Sequence, residues 1–242
     1  MNLIISILLT SYSKEQVSYY HKGDIFKLIE EWYNSICKIS DLKAVLLLDF
    51  IPDGLIEQYG SDNIKFEKCY TNNQLNAIDI RWKIYAQYLE EHPEINAVFF
   101  TDISDVVVLK NPFPYLLSDV IYTGDEDHFD KKDINISWEW MMHRWDIIKS
   151  DLDIISFLDK FGNNKVLNAG LIGGYRGILL PVISKMASFL DRYNVKNTTI
   201  DMLALNFVVY TYYADKVVHG APVNTIFWNN DLHNSVCWFK HK

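Results

Sequence analysis

The sequence predicts a single α/β domain with a mostly parallel central sheet flanked by helices. Short apolar, β-branched runs alternate with longer amphipathic segments over the first half, which is the order of βα units. Several runs are apolar at successive positions, as is typical of strands buried on both faces of a covered sheet. Of 242 residues, 49% are hydrophobic and 22% are charged, enough for one substantial core, and no repeat or linker divides the chain.

The first half predicts strands and helices in alternation. Apolar runs predict strands over residues 2–9, 44–50, 64–69 and 97–101. An apolar stripe predicts a helix over 24–39 with Asp24 as its N-cap, and a second helix covers 76–91 before His92-Pro93 ends it. Between these helices, Pro52-Asp53-Gly54 predicts a turn. Because the strands of such units are parallel, their carboxyl ends meet at one edge of the sheet.

The second half has a less regular pattern. Periodicity predicts strands over 120–123, 167–174 and 216–219, and helices over 138–148, 152–161, 177–193 and 201–212. The segment 124–137 is polar and charged, and we predict a mobile loop there. Glycines at positions 170, 173 and 174 interrupt one strand, which predicts a bulge or a close approach of the backbone to another group.

Charge, cysteine content and hydropathy disfavour several classes of protein and indicate a cellular compartment. With 23 basic and 31 acidic residues the net charge is -8, which argues against a nucleic-acid-binding surface. The 3 cysteines are widely spaced, which predicts neither a disulfide framework nor a zinc knuckle and favours a reducing compartment. Residues 1–10 are apolar but too few to span a bilayer. We expect a cytoplasmic protein without a transmembrane segment.

The most informative segment spans residues 97–113, where one apolar run ends at Asp102 and a second begins after Asp105. Carboxylates at the carboxyl end of a buried strand lie where open α/β sheets bind ligands. Side chains three positions apart in a strand point to opposite faces, so these carboxylates converge only if the chain bends at Ile103-Ser104. Such a bend directs both at one divalent cation. The alternative is a capped turn with two solvated carboxylates, which is commoner for an isolated pair.

Other polar residues at predicted strand and helix ends are candidates for chemistry, and each has a structural alternative. Asn168, beside the glycines, orients a polar ligand or forms a turn. His219 ends the last strand as a metal ligand or as an ordinary strand-end histidine. Asp201 opens a helix as its N-cap or as a carboxylate that takes a proton from an acceptor hydroxyl. Arg81 contacts a diphosphate or is a solvated surface residue.

Taken in order, these segments resemble the GT-A fold glycosyltransferases, which use nucleotide-sugar donors. The segments that carry the resemblance are 99–113, 167–174, 199–202 and 219–222, and together they extend over nearly the whole chain. The resemblance implies a GT-A type fold with a nucleotide-binding half over 1–113 and an acceptor-side half over 114–242. It also implies a divalent cation, Mn²⁺ or Mg²⁺, that bridges the donor diphosphate and acidic residues after the fourth strand.

The resemblance also implies roles for individual residues. The implied metal ligands are Asp102, Asp105 and His219. The implied donor-binding residues are Thr10, Arg81, Asp102, Asn168 and Gly170. Asp201 is the candidate catalytic base, and the acceptor-binding candidates are Glu126 and Asp127 of the polar loop and Trp138 of the aromatic cluster after it. The usual motif of the family is D-x-D. Here Ile103 stands where the first acid is expected, so Asp105 aligns with the second acid, and Asp102 ligates the metal or binds the ribose.

We therefore expect a glycosyltransferase that moves a sugar from a nucleotide-diphosphate donor, with a UDP-sugar favoured, to a hydroxyl of a glycan or another glycosylated acceptor. A metal ion offsets the charge that develops on the leaving diphosphate. One alternative is a sugar nucleotidyltransferase, which needs a phosphate-binding loop after the first strand that residues 10–14 supply poorly. A second alternative is a noncatalytic nucleotide-sugar or glycan-binding domain of the same fold.

Overall fold

The computed structural model describes residues 1–10, 25–71, 75–128, 131, 133–226 and 236–241. The strands are β1 (Asn2–Leu8), β2 (Ala44–Leu48), β3 (Ile64–Lys68), β4 (Ala97–Thr101), β5 (Val106–Val108), β6 (Ile121–Asp125), β7 (Leu167–Tyr175), β8 (Val217–His219) and β9 (Phe239–His241). The helices are α1 (Ile25–Cys37), α2 (Leu55–Tyr59), α3 (Ala77–Glu91), α4 (Glu139–Ile148), α5 (Leu152–Phe161), α6 (Arg176–Tyr193) and α7 (Asp201–Tyr212).

The architecture is a mostly parallel, mixed sheet of seven strands flanked by helices, in the order β3-β2-β1-β4-β7-β6-β8. Strands β1 to β4 pair in parallel, β7 runs antiparallel to both of its neighbours, and β8 is parallel to β6. The carboxyl ends of β1, β4, β6 and β8 therefore meet the amino end of β7 at one edge of the sheet. Polar residues that follow those strands are brought together there.

Both faces of the sheet are covered, as the apolar runs predict. Along β1, Leu3, Ile5 and Ile7 pack into the core formed with α3, α6 and α7, whereas Ile4 and Leu8 pack into the core that contains α1. Side chains alternate between the two faces of a strand, so a segment apolar at every position fills both cores. Among the described residues, no helix has the length and apolar character needed to cross a bilayer.

Most predicted elements are confirmed within one or two residues, and the bounds of β4, α5 and α7 agree with the prediction. The predicted N-cap Asp24 lies outside the described residues. The bulge predicted from the glycines is also confirmed. Thr123 of β6 pairs with Ile172, but Gly124 pairs with Asn168, so residues 169–171 of β7 have no partner in the ladder with β6.

The prediction of a polar loop from residue 124 onward is wrong at its start. Gly124 and Asp125 belong to β6, where they pair with Asn168 and Leu167 of β7, and Asp125 is buried. Backbone pairing to a distant strand outweighs the local polarity on which the prediction rested. Glu126 follows the end of β6 directly, so the sheet holds it in place. A strand in the tail, β9, was not predicted, and it pairs antiparallel with β5.

Candidate active site

A cavity of about 770 Å³ lies at the edge of the sheet where β1, β4 and β6 end. The charged and amide side chains of its lining are Arg81, Asp102, Asp105, Glu126, Asn168 and Asp201. These side chains come from both halves of the chain, and all were predicted as site residues. Ile7, Leu9, Trp140 and Met202 contribute apolar surface. The volume lies within the range of about 300–1,000 Å³ that is usual for small-molecule and cofactor sites.

Arg81 of α3 links two of the carboxylates. Its guanidinium forms an ion pair with Asp102 and a 2.8 Å ion pair with Asp201, and it donates to the carbonyl of Ala169 at 3.2 Å. Burial on its own lowers the pKa of Arg81, but the charges of Asp102 and Asp201 raise that pKa above its ordinary value. The cavity therefore contains a permanent positive charge whose position is fixed by three acceptors.

The start of α7 is held by a carboxylate from α3. The buried Asp79 accepts hydrogen bonds from the backbone N–H groups of Ile200 at 3.1 Å and Asp201 at 3.0 Å, and Asn76 donates to it at 2.7 Å. Burial and the neighbouring charge of Asp201 raise the pKa of Asp79 to about 7. Asp201 is the first helical residue, and Asp79 supplies the cap that Ile200 at the N-cap position does not provide.

The predicted bend after β4 is present. Residues 102–105 form a turn between β4 and β5, and both Asp102 and Asp105 line the cavity. Asp105 is exposed and accepts a 2.9 Å hydrogen bond from the hydroxyl of Ser104. The turn thus presents two carboxylates to the same space. Asp102 is also fixed by Arg81, while Asp105 faces solvent.

Three side chains converge on Gly170, within the bulge of β7. A Cβ atom at Gly170 would lie 2.6 Å from Oδ2 of Asp102, 2.9 Å from Oδ1 of Asn168 and 2.9 Å from Cε1 of His241. Real Cβ atoms do not approach other atoms this closely, so only glycine fits without displacing one of these side chains. A carboxylate, an amide and an imidazole thus pack around the backbone of Gly170.

His241 is a residue near the cavity that was not predicted from the sequence. It lies on β9, is 3% exposed, and burial lowers its pKa to about 4, so its imidazole is neutral. The predicted ligand His219 instead has its Nδ1 3.3 Å from Oδ2 of the buried Asp125 and does not line the cavity. Both histidines end a short strand, but Lys240 interrupts the apolar run before His241. The local pattern was therefore a weak signal for His241, and only the pairing of β9 with β5 brings its imidazole near Gly170 and Asp102.

The side chains at this edge include ligand types that divalent cations bind. Carboxylate and imidazole groups are ligands for Mn²⁺; Asp102 and His241 lie beside Gly170, and Asp105 is in the same turn as Asp102. Among the residues that the structure describes, no group of three or more His, Cys, Asp or Glu side chains is arranged to hold a metal by itself. A cation bound here would therefore need further ligands, such as the phosphates of a substrate. Mg²⁺ sites are commonly of this kind, with one or two carboxylates and substrate phosphates.

Glu126 occupies the cavity between β6 and β7. Its Oε2 accepts a hydrogen bond from the side-chain NH₂ of Asn168, whose Oδ1 in turn accepts from the backbone N–H of Gly170 at 2.6 Å. That second bond fixes the amide orientation of Asn168, because only its oxygen can accept from an N–H group. Burial, with the charges of Asp125, Asp102 and Asp201, raises the pKa of Glu126 to about 7.

The remaining predicted site residues lie outside the described cavity lining. The backbone N–H and the hydroxyl of Thr10 both donate to Oδ1 of Asp49, which follows β2, at 2.8 and 3.1 Å. Asp127 is buried and forms a 2.6 Å ion pair with Lys165. Trp138 stacks on Trp140, with ring centroids 5.6 Å apart, and Trp140 rather than Trp138 lines the cavity. Trp138 therefore supports the cavity wall.

No protein-family model matches the chain, and no curated protein sequence matches it significantly. The arrangement of the site is therefore the basis for assigning a function. It combines four carboxylates and a guanidinium in one cavity at the carboxyl ends of parallel strands, and a neutral imidazole packs beside Gly170 of the lining. Such a site can hold a cation against an anionic ligand and, at Glu126, accept a proton near neutral pH.

Proposed function

We propose that the protein is a metal-assisted glycosyltransferase of the GT-A type. It transfers a sugar from a nucleotide-diphosphate donor, with a UDP-sugar favoured, to a hydroxyl of a glycan or another glycosylated acceptor. The observation that carries this proposal is the convergence of Asp102 and His241 on Gly170, beside Arg81, at the ligand-binding edge of the sheet. Open α/β sheets bind nucleotides at this edge, outside the carboxyl ends of the strands.

Binding an anionic donor requires local positive charge, because the chain has a net charge of -8. Asp102, Asp105 and His241 would hold Mn²⁺ or Mg²⁺ together with the diphosphate. When bound, the ion neutralises charge on the leaving nucleoside diphosphate. Arg81 adds a fixed positive charge beside this position and holds the Asp102 carboxylate in place. The half of the chain before residue 114 thus contributes most of the residues that bind the donor.

The carboxylates of the second half face the sugar and the acceptor. Asp201 is tied on both oxygens, by Arg81 at 2.8 Å and by the N–H of Met202 at 2.9 Å, so it has the geometry of a group that orients sugar hydroxyls. Its role as a base stays a prediction. Trp140 supplies an apolar wall of the kind that packs against a sugar ring.

The test is the release of nucleoside diphosphate from a panel of UDP- and GDP-sugars, with and without Mn²⁺. We expect slow hydrolysis of one donor, stimulated by Mn²⁺ and lost in Asp105→Ala. Glu139→Gln is the matched control, because Glu139 is 88% exposed on α4 and does not line the cavity. Its rate should equal that of the unchanged protein.

Other outcomes of this assay separate the alternatives. Donor binding without release, whatever acceptor is added, supports a noncatalytic nucleotide-sugar-binding domain. Release of pyrophosphate from a nucleoside triphosphate and a sugar phosphate supports a nucleotidyltransferase. If no nucleotide or nucleotide sugar binds with Mn²⁺ present, the proposed function is wrong.

A further inference from the structure

Glu126 differs from the other carboxylates of the cavity in its partners. Asp102 and Asp201 are both ion-paired with Arg81, and Asp127 nearby is paired with Lys165. The Oε2 of Glu126 accepts from the neutral amide of Asn168, and among the described residues no cation and no second donor contacts its carboxylate. Burial raises the pKa of Asp201 as well, but the charge of Arg81 works against that rise, whereas no cation in the described part of the chain opposes the rise in the pKa of Glu126.

We propose that Glu126 is the catalytic base that accepts the proton of the acceptor hydroxyl. This inference rests on the proposed function. In the step, the acceptor O–H proton passes to the free oxygen of Glu126, and the acceptor oxygen forms a bond to the anomeric carbon of the donor sugar. The bond from that carbon to the diphosphate oxygen breaks, and the nucleoside diphosphate leaves with the electron pair. A single displacement of this kind inverts the anomeric configuration.

The surroundings of Glu126 make it suited to this task. Negative charges act on it from three elements: Asp125 at the end of β6, Asp102 after β4 and Asp201 at the start of α7. With burial, these charges raise the pKa of Glu126 to about 7, where a base is both deprotonated and strong enough to take a proton at neutral pH. The positive charge of Arg81 is directed to Asp102 and Asp201.

Asn168 is a positioning residue for this base. Because the N–H of Gly170 fixes the amide oxygen, the NH₂ group of Asn168 is directed at Glu126. Asn168→Asp replaces that donor with a carboxylate of nearly the same shape. The change places a negative charge against Glu126 and raises its pKa further. A merely structural role for Asn168 would leave the pH dependence of transfer unmoved.

The experiment compares Glu126→Gln, Asp201→Asn and Asn168→Asp in the full chain, with Glu139→Gln as the control. Calorimetry measures the affinity for the donor in the presence of Mn²⁺. Product formation at a series of pH values gives kcat for transfer, and NMR gives the anomeric configuration of the product. We expect Glu126→Gln to bind the donor with unchanged affinity and to lose about 100-fold or more in kcat. The unchanged protein should gain activity as pH rises through about 7, and Asn168→Asp should shift that rise to higher pH.

The results that overturn the inference are distinct from those that overturn the proposed function. A product with retained configuration, or a Glu126→Gln variant with unchanged kcat and pH profile, shows that Glu126 is not the base. If Glu126→Gln does not fold, an unshifted pH profile in Asn168→Asp likewise shows that Glu126 is not the base. If the unchanged protein neither binds nor consumes any nucleotide sugar, the proposed function itself fails.

Discussion

Among single residues, the chemistry of each carboxylate in this cavity is set by its partner. Asp102 and Asp201 both face the guanidinium of Arg81. Glu126 is held by an amide, and Asp105 faces solvent. In the proposed function, these four acids of similar intrinsic acidity have different tasks: cation binding, orientation of Arg81 and the substrate, and proton transfer.

The close contacts of Gly170 give a direct prediction. In Gly170→Ala, the added Cβ displaces Asp102, Asn168 or His241, so we expect the affinity for UDP with Mn²⁺ to fall by roughly 10-fold. Gly177→Ala is the matched control, because a Cβ at Gly177 meets nothing within 4 Å and α6 favours alanine over glycine there. Calorimetric titration of both variants checks this, and equal affinities would contradict the geometry described for Gly170.

The two strand-end histidines give a second prediction. His241→Ala removes the imidazole beside Asp102, so Mn²⁺ binding in the presence of UDP should weaken markedly. His219→Ala removes a partner of Asp125, so we expect Mn²⁺ affinity to be retained. Paramagnetic resonance of free Mn²⁺ measures both affinities, and circular dichroism verifies that each variant is folded. Loss of Mn²⁺ binding in His219→Ala alone would restore the ligand set predicted from the sequence.

Several polar residues of the cavity could be predicted from the sequence, because polar residues at strand and helix ends mark the edge where α/β sheets bind ligands. Asp102, Asn168 and Asp201 are of this kind. His241 and Asp79 were not predicted, for a physical reason. Each acts through a contact distant in sequence: the pairing of β9 with β5 for His241, and the capping of α7 from α3 for Asp79.

At the level of helices, the contact between α3 and α7 positions Arg81 and Asp201 in the cavity. Arg81 reaches Asp201 from α3, and Asp79, one half-turn earlier on the same helix, caps the start of α7. An unsatisfied helix terminus in a buried position is costly, so this cap stabilises the site and the fold together. Because the cap is a carboxylate near another carboxylate, its contribution depends on pH.

We predict the direction of that dependence from Asp79. Its pKa is raised to about 7 in the folded protein, so its favourable contribution is complete below its unfolded pKa and is lost as pH rises through about 7. The free energy of unfolding should therefore decline from about pH 4 to about pH 7, by on the order of 1 kcal/mol per unit of pKa shift. Asp79→Asn cannot ionise, so its decline should be shallower. Urea unfolding at several pH values gives both slopes, and parallel slopes would contradict the assignment.

Local patterns predicted the elements well where propensity and burial agree. The runs that form β1, β2 and β4 are apolar at nearly every position, and each is a strand buried on both faces. The end of β6 was misassigned because Gly124 and Asp125 are poor strand formers by composition. Their pairing with β7 is a long-range property, and the sequence holds no local sign of it.

Across the molecule, the main sheet joins both halves of the chain. β4 of the first half pairs with β7 of the second, and the cavity takes its lining from each side. The parallel strands of the first half could be predicted from the alternation of strands and helices in the sequence. The antiparallel direction of β7 and the position of β8 at the edge of the sheet could not. The roles predicted for the two halves, donor binding and acceptor binding, depend on the proposed function.

A ligand that contacts both halves should stabilise the entire fold. We predict that UDP with Mn²⁺ raises the melting temperature, since a ligand at 100 times its Kd adds about 2.7 kcal/mol to the free energy of unfolding. UDP with a chelator should have a smaller effect, because the cation no longer links the diphosphate to Asp102 and His241. Scanning fluorimetry measures both shifts. Equal shifts with and without the metal would argue against a bridging cation.

The most direct measurement is a crystal structure of the protein with UDP and Mn²⁺, with data collected where manganese scatters anomalously. We expect one anomalous peak within bonding distance of Asp102 and the diphosphate, beside Gly170 and His241, with UDP in the cavity lined by Arg81 and Asn168. A peak at Asp125 and His219, or UDP bound away from this edge of the sheet, would contradict the proposed donor site.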